Sequence, residues 1–163
     1  MVVEIPLTQG RVALVDDEDA DRVIAAGPWH AYRNKKTWYA KHTVCVAKGA
    51  WQSIPLHRFI LGAGPEAPSI DHINGNGLDN CRKNLRHCTT AENLCNARKR
   101  RGTSSRYKGV YLDVASGKWK AQAQVHGRRI SLGRFDSEID AAEAYDAAAR
   151  RHYGEFARTN FRL

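Results

Sequence analysis

The residues best suited to chemistry in this chain lie between Asp71 and Asn93. Asp71, His72, Ile73, Asn74, Gly75, Asn76, Gly77, Leu78, Asp79 and Asn80 are consecutive, and Asn84 and Asn93 follow. Asp71 offers a hard carboxylate oxygen directly beside an imidazole, and Asn93 offers an amide oxygen. Donors of this kind suit Mg2+, which takes few protein oxygens and keeps positions for water and phosphate. His72 can take a proton from water near neutral pH. Together these groups meet the requirements of metal-assisted phosphodiester hydrolysis.

The neighbouring residues must hold that constellation. Asn74-Gly75 and Asn76-Gly77 are consecutive turn dipeptides, so residues 69–84 are expected to reverse as a hairpin. Thr89 or Thr90 can cap a helix over residues 91–100, on which Asn93, Asn96 and Ala97 share a face. Upstream, residues 2–15 read as strands, and Asp16 or Asp17 caps a short helix that Gly27-Pro28 stops. Residues 38–40 and 43–46 read as strands of a small sheet, with Lys35-Lys36 at a turn. Residues 56–61 form a helical turn or strand ahead of the hairpin.

Asp71-His72, then Asn84 and Asn93 at these spacings, resembles the HNH nuclease motif, and most closely that of phage and intron homing endonucleases, where Asn often takes the third position. Residues 55–101 carry the match, with Asn80, Leu85, Arg86, Thr89 and Glu92 also fitting. The resemblance implies a ββα-metal module in which Asp71 and Asn93 hold the metal and His72 is the general base. Asn84 would brace the hairpin through backbone hydrogen bonds and keep His72 in line with its water. Taken alone, Asp71 reads as a turn cap and His72 as a half-buried histidine; the spacing carries the functional reading. His57, in a segment that also resembles these nucleases, suits packing and a polar role alike. Arg58, Arg82, Lys83 and Arg86 surround the hairpin as candidate phosphate contacts.

Downstream, Arg98, Lys99, Arg100, Arg101 and Arg106 flank Gly102 and small polar residues. That is the composition of an exposed basic linker, read here as a phosphate contact and otherwise as a solvated helix end. Residues 107–113, 118–125 and 128–132 read as three strands, separated by Ser116-Gly117 and His126-Gly127. Ser137 caps an alanine-rich helix after them. Tyr107-Lys108-Gly109-Val110, Gly117-Lys118-Trp119, Leu132-Gly133-Arg134-Phe135, the alanine run from 141 to 149 and Asn160-Phe161 resemble the Apetala-two, or ethylene-response-factor, DNA-binding domain. In that family the sheet faces the major groove, which makes Lys108, Tyr111, Gln122, Gln124, Arg128, Arg129 and Arg134 the candidate DNA contacts. Tyr111, Asp113, Ala115, Gln122 and Gln124 stand where plant members often carry arginine, tryptophan or glutamate, so the fold carries over better than the target sequence. Trp119 reads as core.

The 163 residues carry a net charge of +9, unevenly placed. Residues 1–30 hold two basic and six acidic side chains, and the rest of the chain is correspondingly more basic. A basic surface of this kind suits a polyanion, most simply nucleic acid. No apolar run reaches the length of a membrane span, and the N-terminus lacks the layout of a signal peptide, so an intracellular setting (cytoplasm or nucleoid) is expected. Cys45, Cys81, Cys88 and Cys95 form no Cys-x-x-Cys pair, which disfavours zinc and fits reduced thiols. A zinc-bound structural module through His87 and the cysteines remains the contrasting reading.

The expectation is an α+β chain. An HNH domain over residues 1–101, with its core in 55–101, is joined by a linker at 102–106 to an Apetala-two-like domain over 107–163. Its expected activity is DNA cleavage with Mg2+, or Mn2+ as a substitute, on double-stranded DNA, with no small-molecule substrate and with a monomer favoured over a dimer. The alternative is a catalytically inactive, sequence-specific DNA-binding regulator.

Overall fold

Short runs rich in valine and isoleucine near the N-terminus form an antiparallel pair, β1 (Val2–Pro6) and β2 (Val12–Asp16), with alternate residues Ala13 and Val15 turned into the core. The computed structural model describes residues 1–34, 37–99, 102–125 and 127–161. Helix α1 (Asp17–Ala25) follows, with Asp17, Glu18 and Asp19 in its first turn, where the positive end of the helix dipole favours them. Strands β3 (His30–Asn34), β4 (Thr37–Ala47) and β5 (Ala50–Pro55) form an antiparallel sheet in the order β3-β4-β5. The expected Lys35-Lys36 turn lies outside the described residues.

Helix α2 (Leu56–Ile60) buries Leu56 and Ile60 completely, which contributes roughly 1.5–3 kcal/mol for each side chain. Strands β6 (Ser69–His72) and β7 (Leu85–Cys88) form a second antiparallel pair. The core joins residues of β1, β2, α1, β4, α2, β6 and β7 with Trp29: Ile5, Val15, Val23, Ala40, Leu56, Ile60, Ile70 and Leu85.

The chain divides into two compact units, Met1–Thr89 and Thr90–Leu163. The expected domain over residues 1–101 crosses that division. Helix α3 (Thr90–Asn96) is therefore described with the second unit, where the Lys108 ammonium donates to the Cys95 carbonyl. It ends at Asn96, four residues short of the expected end.

The second unit contains β8 (Val110–Asp113), β9 (Lys118–Val125) and β10 (Arg128–Phe135), antiparallel in the order β10-β9-β8. Helix α4 (Glu138–Tyr153) packs on them and is capped by Ser137, whose hydroxyl accepts from the Ile139 and Asp140 amides. Ala141, Ala142 and Ala149 are fully buried, and so thin a helix face lies close to the sheet. Strand β8 begins three residues later than expected. The Lys108 amide donates to the Asn160 side chain instead of to a strand, and Gly109 turns through φ +77°. A Cβ at Gly109 would overlap the Tyr145 ring. Strand β10 runs three residues further than expected, through an irregularity between Ser131 and Gly133. The fold is α+β, with antiparallel sheets throughout the named strands.

Candidate active site and nucleic-acid interface

The loop between β6 and β7 is fixed from below by the N-terminal strands. The Leu14 amide donates to the Leu78 carbonyl at 2.8 Å, and the Asn80 amide returns a bond to the Leu14 carbonyl at 2.8 Å. The Arg82 amide donates to Asp16 Oδ2 at 2.7 Å. From above, Gly77 lies so close to β4 that a Cβ would overlap the Tyr39 ring and the Trp38 carbonyl. The acidic N-terminal segment is thus part of the support for the hairpin.

Four polar side chains converge there and are almost fully buried: Asp71 (5%), His72 (6%), Asn80 (0%) and Asn84 (7% exposed). Burying such groups is costly unless they are hydrogen bonded. Asn84 Oδ1 accepts from the Asn74 amide at 3.0 Å, and its Nδ2 donates to the Asp79 carbonyl at 2.7 Å. It therefore ties both limbs of the loop. Asn80 Oδ1 lies 3.3 Å from His72 Nε2. With Oδ1 as acceptor, Nε2 carries the proton and Nδ1 keeps the lone pair. Asp71 stands across the ladder from Arg86, whose Nε and Nη2 donate to Asp71 Oδ2 at 3.1 and 2.9 Å.

His72 is held toward its neutral form. Burial lowers its pKa, and this outweighs the opposing pull of Asn80 and of the Asp71 and Asp79 carboxylates. Its ring meets Tyr39 at 5.7 Å and His57 at 5.1 Å, both edge-on. His57 Nδ1 is buried and has no hydrogen-bond partner among the described residues. Burial, reinforced by His72 and Arg58, pushes the His57 pKa down to about 3.

The cations around the hairpin differ in their surroundings. Arg58 donates to the carbonyls of Gly64, Pro65, Ala67 and Pro68, so it clamps its own loop. Arg82 binds the buried Asp19 through Nε at 2.8 Å and Nη2 at 2.9 Å. Arg86 is paired with Asp71. Lys83 is exposed. Among the described residues, Asp16, Glu18 and Asp19 also form an acidic cluster, but Arg82 ties all three. Sequence reasoning missed Asn80 and Tyr39 as side chains touching His72. Asn80 carried a signal in its fit to the motif, whereas Tyr39 is separated from His72 by thirty-two intervening residues and carried none.

Asn93 lies exposed on α3 of the second unit, and Asn96 on the same helix is buried. The buried Asp71 carboxylate is a hard oxygen donor of the kind that suits a hard divalent cation, and burial holds the adjoining imidazole toward its neutral form. The described cysteines form no disulfide with one another; Cys81 and Cys88 are buried, and burial, chiefly, pushes the Cys81 thiol up to about 12.

On the sheet of the second unit, directly paired residues share a face. Tyr111 pairs with Lys120, Gln122 with Ser131, Gln124 with Arg129 and Arg134 with Lys120, which places these residues on the face away from α4. Trp119, Ala121 and Ala123 take the other face and pack toward the helix. Arg128 pairs with Val125 and belongs to that inner register, at its exposed end. Lys120 and Arg134 both reach Asp113, at 2.7 and 3.6 Å. Lys108 is withdrawn, because burial lowers its pKa to about 8. Arg98, Lys99 and Arg106 lie within the described linker, whereas Arg100 and Arg101 fall outside the described residues.

The first unit thus carries a short hairpin with the buried Asp71 and His72, and the second a three-stranded sheet packed on a helix. The AP2 domain model matches residues 105–155. The chain is 31% identical over 132 residues to an uncharacterized HNH endonuclease of Acanthamoeba polyphaga mimivirus, covering 78% of this chain and 68% of the relative. It belongs to the HNH endonuclease family and carries an AP2 domain. It is also 42% identical over 72 residues to the AP2/ERF and B3 domain-containing transcription repressor TEM1 of Arabidopsis thaliana, covering 44% of this chain and 20% of that protein. Against the dehydration-responsive element-binding protein 2A of Oryza sativa, identity is 51% over 57 residues, covering 34% of this chain and 20% of the relative. The chain thus spans about a fifth of these two plant relatives. Among the described residues, no helix is long and apolar enough to cross a membrane.

Proposed function

We propose that this chain is a DNA endonuclease of the HNH homing type, with a ββα-metal module within residues 1–101 and a recognition module over 107–163. The observation that carries the reading is the buried pair of Asp71 and His72, with His72 Nε2 against Asn80 and the loop fastened by Asn84. In the reaction, His72 Nδ1 takes a proton from a water molecule as that water attacks phosphorus. The phosphodiester bond to the 3′ oxygen breaks, and that oxygen takes a proton from solvent water, leaving 5′-phosphate and 3′-hydroxyl ends. Asn80 fixes the tautomer and Asn84 fixes the loop, so the lone pair is oriented before substrate arrives. Asp71 and Asn93 would hold a Mg2+ ion, with Mn2+ as a substitute. When bound, the cation supplies charge stabilisation for the phosphoryl transition state and the departing oxygen.

The AP2 module supplies affinity for double-stranded DNA. Its outer sheet face carries Tyr111, Gln122, Gln124, Arg129 and Arg134, which suit groove edges and phosphates. Binding should weaken steeply with salt, because each phosphate contact releases counterions. An intracellular, monomeric enzyme accords with this reading.

A second reading, an inactive DNA-binding regulator, is favoured by one observation: Arg86 already engages the Asp71 carboxylate. The test is plasmid DNA with Mg2+, comparing the parent with His72→Ala. Nicking or linearisation by the parent alone supports the nuclease. If neither protein cuts plasmid or the DNA flanking its own gene, the regulator reading replaces it.

A further inference from the structure

The β3-β4-β5 sheet has one face in the core and one face outside it. Ala31 and Ala40, a direct pair, are buried with the inner face. The alternate positions are Tyr39, Lys41, Thr43 and Cys45 on β4, with Tyr32 and His30 opposite on β3 and Ser53 and Trp51 opposite on β5. This outer row begins at the candidate active site, because the Tyr39 ring touches His72. It continues through Tyr32, stacked on Tyr39 at 5.7 Å, and Lys41, whose ammonium lies 5.6 Å from the Tyr32 ring centre. Lys41 Nζ then reaches Ser53 Oγ at 3.4 Å, and Thr43 Oγ1 lies 3.3 Å from the same oxygen. At the far end Trp51 is 69% exposed, beside the turn that carries Lys48.

Charge selects what this row can meet. Residues 27–65 contain six lysines and arginines and no aspartate or glutamate, although the chain holds 17 acidic residues. Cations, hydroxyls and one exposed indole form a surface for phosphates, with an apolar contact for a sugar or base. The six residue steps from Tyr39 to Cys45 rise about 20 Å, comparable with about six steps of a duplex strand.

We infer that the outer face of β3-β4-β5, from Tyr39 through Lys41, Thr43 and Ser53 to Trp51 and Lys48, is the track on which duplex DNA lies beside the bond to be cut. This rests on the endonuclease reading. It gives the first unit its own grip on DNA, apart from that of the AP2 sheet.

The test uses the full chain and a duplex of arbitrary sequence, titrated over a salt series without divalent metal, so that no cleavage intervenes. Lys41→Ala combined with Lys48→Ala is compared with the parent. The log–log slope should flatten by about 2, roughly 0.9 for each lost phosphate contact. The pair Arg129→Ala and Arg134→Ala, on the other unit, should flatten it independently and additively. Thermal melting of each variant verifies that it folds. A slope in the β4–β5 variant equal to that of the parent overturns the track. Cleavage by the parent in Mg2+ is scored separately. Cleavage with an unchanged slope sinks the track alone; a lysine-dependent slope without cleavage sinks the nuclease reading and leaves the track as a binding surface.

Discussion

The hairpin of the first unit and the sheet of the second treat polar side chains in opposite ways. In the hairpin, Asp71, His72, Asn80 and Asn84 are turned inward, and the neighbouring chain holds them. On the AP2 sheet, Gln122, Gln124, Arg129 and Arg134 are turned outward, and the buried Asp146 of α4 clamps the tail. Chemistry on phosphate needs a base whose lone pair is aimed and whose charge is suppressed, and burial does both. Recognition of a long polyanion needs many adaptable groups that stay in water until DNA arrives. If this division is right, substitutions in the hairpin change rate and leave affinity, and substitutions on the sheet do the reverse.

The largest effect tests that separation directly. His72→Ala should lower cleavage by about 10²–10⁴-fold, the usual range for a positioned general base. Duplex affinity without metal should stay within about twofold. Loss of affinity in parallel with rate would break the comparison, because it would make the hairpin a binding element.

Next comes the pH dependence of stability. The folded first unit keeps His57 neutral down to about pH 3, whereas the unfolded imidazole protonates near 6.5. Below that value the unfolded chain takes up a proton that the folded chain refuses, so stability falls progressively as pH drops from 6.5 toward 3. The span corresponds to on the order of 4–5 kcal/mol. Chemical unfolding can be followed by tryptophan fluorescence in a Trp119→Phe background, where the other three tryptophans, Trp29, Trp38 and Trp51, lie in the first unit. His57→Leu should remove most of the pH slope; a parent as stable at pH 4 as at pH 7 refutes the assignment.

A third prediction concerns the clamp. Asp146 accepts from the Asn160 amide at 2.8 Å and the Phe161 amide at 2.9 Å, and Asn160 in turn holds the Lys108 backbone. Asp146→Ala leaves those donors unsatisfied and should cost about 3 kcal/mol, felt in the second unit alone. Calorimetry would resolve it as a lowered transition for that unit, with the other unmoved. A shift of both transitions would contradict the division.

The same contrast explains what was legible in the sequence. The three strands and alanine helix of the second unit follow local signals: turn dipeptides, a serine cap, period-two alternation. The Asp71-His72 hairpin was likewise announced by Asn-Gly turns. What could not be read was support from a distance. Leu14 bonding the Leu78–Asn80 segment, Arg82 reaching Asp19 and Tyr39 lying on His72 each join residues more than thirty positions apart. Nothing local marks such partners. Arg58, Arg82 and Arg86 show the converse, since charge alone could not reveal that each is engaged within the protein. Arg128 failed to separate from Arg129 for another reason. Only the register, with Val125 opposite one and Gln124 opposite the other, assigns their faces.

That register yields the smallest and sharpest prediction. Arg129 lies on the open face and Arg128 on the side of α4, although they are adjacent and both exposed. Arg129→Ala should flatten the salt dependence of duplex binding by about 0.9 and weaken affinity several-fold, as loss of one phosphate contact does. Arg128→Ala should leave the slope within error of the parent. Both should cleave with unchanged kcat once DNA is saturating, since neither lies in the unit that carries His72. Equal slopes for the two variants would mean that both faces of β10 meet DNA. The sheet would then have to be edge-on to the duplex, with the open face of Gln122 and Gln124 no longer the reading surface.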